Sequence, residues 1–116
     1  MLMEVAELAQ RDEPGVDLMR LSAGTKLIVN TKNSTYLLMV TGKPGEVYAR
    51  GGKKIPKATK VIFNGSTWGG SCLRLGWVGV MMCMEMRLPT ERVLTTTPVR
   101  SIRIVGSNKE WFYDLP

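Results

Sequence analysis

The sequence predicts an all-β, mainly antiparallel domain: a small β-barrel or sandwich of about six to seven short strands with one short N-terminal α-helix. Three observations carry this expectation. From Thr25 onward Val, Ile, Thr and Tyr recur in short runs, the composition of half-buried strands. The runs are bounded by Gly, Asn, Pro and Ser, which set turns. The connections are brief, so adjacent strands must run antiparallel, and many short strands bury two faces only by closing or stacking.

The elements follow in chain order. Leu2, Val5, Ala6, Leu8 and Ala9 lie on one helical stripe, with Glu4, Glu7 and Arg11 facing away, so residues 1–13 are expected as an amphipathic helix. Pro14-Gly15 stops it, and Gly15 to Leu21 forms a turn that lays Val16, Leu18 or Leu21 on the core. Strands are expected at Lys26–Thr31, Thr35–Thr41, Glu46–Arg50, Lys60–Asn64, Trp77–Arg87, Arg92–Thr97 and Val99–Val105. Lys32-Asn33-Ser34 closes the first hairpin, because Asn tolerates a left-handed backbone, and Gly42-Lys43-Pro44-Gly45 and Pro89-Thr90-Glu91 close later ones. The whole reads as one domain, with residues 25–105 as the barrel or sandwich and 106–116 as an aromatic tail; 116 residues suffice for one core and are few for two. In architecture this resembles the small barrels of the SH3-like and Sm-like group, many of which bind RNA or assemble as rings. No motif residue carries over from them, and Trp77 to Val105 is longer than a five-strand barrel requires.

One run has a clear sidedness. Taken at period two, Gly76 to Leu88 places Val78, Val80, Met82, Met84, Met86 and Leu88 on one apolar face, which meets the core. The other face reads Trp77, Gly79, Met81, Cys83, Glu85, Arg87, apolar at first and then charged. Trp77, Met81 and Cys83 therefore need a cover: the N-terminal helix, the tail aromatics Trp111, Phe112 and Tyr113, or a second subunit. Methionine adapts to an irregular contact as readily as to a core gap.

Composition narrows the function classes. The chain has no histidine and two cysteines, which removes the usual general acid and base near neutral pH and leaves no ordinary four-ligand zinc site. No metal, no cofactor and no catalytic residue is expected. Glu85 and Glu91 are flanked by Arg87 and Arg92, so surface ion pairing explains them better than acid/base roles. The longest apolar run, Val78 to Met84, is far below the roughly 20 residues that span a bilayer. The acidic N-terminus does not read as an export signal. A cytoplasmic setting follows, with Cys72 and Cys83 as free thiols.

Charge is unevenly placed. The net is −3 over residues 1–20, +7 over 21–60 and +2 over 61–116, within a total of +6. Arg50, Lys53, Lys54, Lys57 and Lys60 crowd into one short segment. Such a cluster favours a polyanion, or it is a solvated loop whose lysines protect a strand edge.

The stretch Gly65-Ser66-Thr67-Trp68-Gly69-Gly70-Ser71 has the glycines and hydroxyls of an anion-cradling loop, yet it spells neither the Walker nor the dinucleotide-binding pattern. Its Trp68 either plugs a barrel end or stands exposed as a stacking platform. The expectation is a non-catalytic module that binds single-stranded nucleic acid or a nucleotide through Arg50, Lys53, Lys54, Lys57 and Lys60, with Tyr48 or Trp68 stacking and Arg74 assisting. The alternative is a self-assembling or partner-binding protein, a homo-oligomer using Trp77, Met81, Cys83, Trp111, Phe112 and Tyr113.

Overall fold

A computed structural model describes residues 15–68 and 71–106. The predicted helix at residues 1–13 and residues 107–116 of the predicted tail lie outside the described residues. Among those described, no α-helix forms. The only helical element there is a 3-10 turn at Leu18–Arg20 (η1), whose first turn is capped by the Asp17 carboxylate accepting the Met19 N–H at 3.0 Å.

The chain forms β1 (Gly15–Asp17), β2 (Lys26–Thr31), β3 (Thr35–Val40), β4 (Glu46–Gly51), β5 (Ile55–Trp68), β6 (Ser71–Leu75), β7 (Trp77–Gly79), β8 (Cys83–Arg87) and β9 (Val93–Gly106). Six of them, in the order β2-β3-β4-β5-β8-β9, close into an antiparallel barrel through the pairing of β9 with β2. Each of the six is bonded to its successor in this order, so the connections alternate between the two barrel ends. The β2–β3, β4–β5 and β8–β9 turns lie at one end. The β3–β4 turn and the excursion through β6 and β7 lie at the other.

Alternation builds the core. Leu27 and Val29, Leu38, Val47 and Ala49, Val61 and Phe63, Met84 and Met86, and Val99, Ile102 and Ile104 all point inward and are buried. Each large apolar side chain so buried contributes roughly 1.5–3 kcal/mol relative to exposure. The short β1–β7 ribbon, with Val16 opposite Val78, joins Leu18 in closing the far end.

Several predicted strand limits shift, each for a physical reason. The segment expected as a basic loop is a turn only at residues 52–54: β5 begins at Ile55, buried at the barrel wall, five residues before the expected start at Lys60, and Lys57 sits on it. Pro56 falls beside a register shift, where β4 needs no donor from it. The two predicted C-terminal strands are one, because Pro98 sits where β9 passes from β8 to β2 and its carbonyl accepts the Lys32 N–H at 3.0 Å. The predicted Trp77–Arg87 strand is two. Met82 N–H turns back onto the Gly79 carbonyl, and Met81 takes a left-handed backbone (φ 75°) with its N–H on the Val99 carbonyl at 2.7 Å. The inward face survives the break, since Val78, Met82, Met84 and Met86 are all buried.

Candidate anion-binding surface

The β4–β5 hairpin gathers most of the predicted cations. With Val47 and Ala49 facing the core, alternation turns Glu46, Tyr48 and Arg50 outward, and Tyr48 lies directly opposite Lys60. Lys53 and Lys54 are exposed in the turn, and Lys57 is exposed on the returning strand. Tyr48 and Arg50 are half-buried. The nearby acid, Glu46, accepts the Thr41 hydroxyl at 2.8 Å and lies 3.8 Å from the Lys60 ammonium. An ion pair this exposed contributes little.

Trp68 and Arg74 are elsewhere. Trp68 lies eight residues beyond Lys60, up to about 26 Å along β5, on the hairpin that β5 forms with β6. It is 57% exposed, so it does not plug the barrel. The Arg74 guanidinium stacks 4.0 Å from the centroid of the Trp77 ring, and the indole leaves no room for side chains on Gly15 or Gly79: a methyl group on either would come within 2.5 to 2.7 Å of it. The β1–β7 ribbon therefore exists around Trp77.

This answers what the glycine-rich stretch does. Gly65, Ser66, Thr67 and Trp68 are strand, and Gly65 (φ 148°) is needed because a side chain there would run into the Arg74 carbonyl. The Ser66 hydroxyl is fully buried, donates to the Trp77 carbonyl and accepts the Gly79 N–H at 3.2 Å. Its hydrogen bonds hold β5 to β7 and do not point at an anion.

Glu85 accepts from the Asn64 amide at 3.1 Å and pairs opposite Thr95, while Glu91 is exposed in the β8–β9 turn, and among the described residues neither acid forms the expected surface ion pair with Arg87 or Arg92. Of the predicted interface residues, Met81 is 71% exposed while Trp77 and Cys83 are half-buried; Trp111, Phe112 and Tyr113 lie outside the described residues. A cleft between η1, the β3–β4 turn and Phe63 has a volume of about 80 Å³, well below the roughly 300 Å³ at which small-molecule sites begin. On the outer wall Lys26 and its cross-strand partner Met39 are each 2% exposed, and burial lowers the Lys26 pKa from its ordinary value.

Sequence proximity grouped the cations of one hairpin. It had no means to find Lys32, Arg87 and Arg92, which barrel closure brings to the same end. No helix among the described residues is long and apolar enough to cross a membrane. Comparison with known proteins returns no family model, no curated relative and no solved structure that matches this chain.

Proposed function

We propose that the protein is a non-catalytic binding module for an anionic partner, single-stranded nucleic acid in particular, engaged through the β4–β5 hairpin. One observation carries this reading: Tyr48, Arg50 and Lys60 share the outward face of a hairpin whose turn adds Lys53 and Lys54. Cations on such a face neutralise phosphates, and Tyr48 offers an edge or face for a base. The 80 Å³ cleft favours a strand lying on the surface over a nucleotide enclosed in that cleft. The residues set this apart from turnover chemistry, since a chain without histidine lacks the usual proton shuttle near pH 7.

Fluorescence anisotropy of a labelled oligo-dT titrated with the protein tests the reading. Neutralising about four phosphates gives a log–log salt slope near −3. An affinity indifferent to salt removes the proposal.

A second reading has its own observation. Met19, Trp68, Leu73, Leu75 and Met81 are exposed apolar side chains in or beside the β6–β7 excursion, a distribution that suits contact with another copy. Light scattering of the full chain and of a chain lacking residues 109–116 distinguishes the two. A monomeric mass in both leaves self-assembly without support.

A further inference from the structure

We propose that the nucleic-acid strand is held across one end of the barrel, on a rim built from three hairpin turns, with Lys32, Arg87 and Arg92 contacting phosphate alongside Lys53, Lys54 and Lys57. This rests on the nucleic-acid reading above and extends it to residues up to 60 positions apart in the chain.

Topology places the rim. In a barrel whose consecutive strands are neighbours, the β2–β3, β4–β5 and β8–β9 turns share an end. The first two turns are neighbours: a methyl group on Gly52 would sit 3.4 Å from the Ser34 hydroxyl. The third joins through β5. Arg87 lies opposite Ile62, and Lys60 is two residues from Ile62 on the same face, a diagonal relation of about 7–8 Å. Arg92 then leads into Val93, the partner of Arg87. Lys32, the β4–β5 turn, Lys60 and Arg87 with Arg92 are thus linked neighbour to neighbour at this end, with Glu46 beside Lys60 as the acid at the junction.

The rim is strongly one-sided in charge. Lys32, Lys53, Lys54, Lys57, Arg87 and Arg92 are all exposed, and Glu91 is the acid among them. None of the six is drawn into an ion pair among the described residues. Asp17 lies off the rim and accepts the Met19 amide, while Glu46 and Glu85, which flank the junction of Lys60 and Arg87, are engaged by Thr41 and Asn64. Like charges held this close raise the local potential and attract a polyanion.

The rim is also fixed in place. The Lys32 N–H bonds the Pro98 carbonyl, the Asn33 N–H bonds the Thr97 hydroxyl at 3.1 Å, and that hydroxyl donates to Thr31 at 2.8 Å. The β2–β3 turn is pinned to β9, so positioning Lys32 costs the complex little ordering entropy.

The test compares two triple variants of the full chain on labelled oligo-dT between 50 and 200 mM salt. Lys32→Gln/Arg87→Gln/Arg92→Gln removes three rim cations. Arg20→Gln/Lys43→Gln/Arg103→Gln removes three exposed cations from elsewhere on the surface. Three lost phosphate contacts lower the magnitude of the salt slope by about 2 and weaken binding at 50 mM salt roughly a hundredfold. The rim triple shows this loss and the second triple stays near wild type. Equal losses in both triples reduce the effect to net charge and overturn the rim. Wild-type binding by the rim triple overturns the rim while leaving the β4–β5 hairpin reading intact. Wild-type protein that fails to bind oligo-dT at 50 mM salt overturns both. Circular dichroism of each variant confirms that the barrel is retained, as expected for exposed side chains.

Discussion

The two ends of the barrel are built on opposite plans. One is shut by apolar residues: Val16, Val78 and Leu18 close it, and the Trp77 indole lies against Gly15 and Gly79 beneath Arg74. The other carries charged turns over a core that the strands have already sealed with Ile55 and Tyr36. Stability and charge have been assigned to different places. Substitutions at the closed end should therefore act on folding, and those at the charged end on binding.

The largest expected effect tests that separation. Leu18→Ala empties a site that is 4% exposed and should cost about 2–5 kcal/mol in urea denaturation. Lys53→Ala/Lys54→Ala should change stability by no more than about 0.5 kcal/mol while weakening oligonucleotide binding. If both changes move stability alike, the ends are not distinct. Next in size is Ser66→Ala, which leaves the Gly79 N–H and the Trp77 carbonyl without their hydroxyl partner and should cost about 1–3 kcal/mol. Unchanged stability would show that the ribbon at the closed end does not depend on this tie.

The smallest effect lies on the wall between the ends. Burial lowers the pKa of Lys26 from 10.5 in the folded chain. Between that lowered value and 10.5 the unfolded chain binds more protons, so stability rises with pH across this window. The buried charge weakens the fold below the window, and the rise ends once pH exceeds the unfolded value. Denaturation midpoints measured from pH 7 to 10.5 should climb for the wild type, and Lys26→Met should flatten that part of the climb. A slope unchanged by the substitution would assign it to other groups.

Much of the fold was legible because local chemistry and tertiary structure agree. Asn33 marks the first turn, Gly42 to Gly45 marks the second, and alternation in Leu27, Val29, Leu38, Val47 and Met84 matches the inner wall. The misses occur where tertiary contacts override local signals. Pro56 and Lys57 read as part of a loop, yet β4 offers Ile55 a buried place and extends the strand back to it. Met81 turns left-handed without a glycine to announce it, because bonds from Met81 and Val99 hold the chain there. β6 is missed for a similar reason: its exposed Leu73 and Leu75 carry no inward face. The candidate surface was legible in its hairpin half alone. Trp68 and Arg74 look near the lysines in the sequence and are carried away by the length of β5, while Arg92 looks distant and is brought to the same barrel end by closure.

The handover at Pro98 has one more consequence. A residue without an amide hydrogen can occupy the point where β9 exchanges one neighbour for another at no cost in ladder bonds. Sliding the strand by a single position would move that gap inside a ladder and turn Ile102 and Ile104 out to water. The seam that converts a sheet into a closed wall accordingly admits one alignment, and every loop hung from it inherits a fixed address.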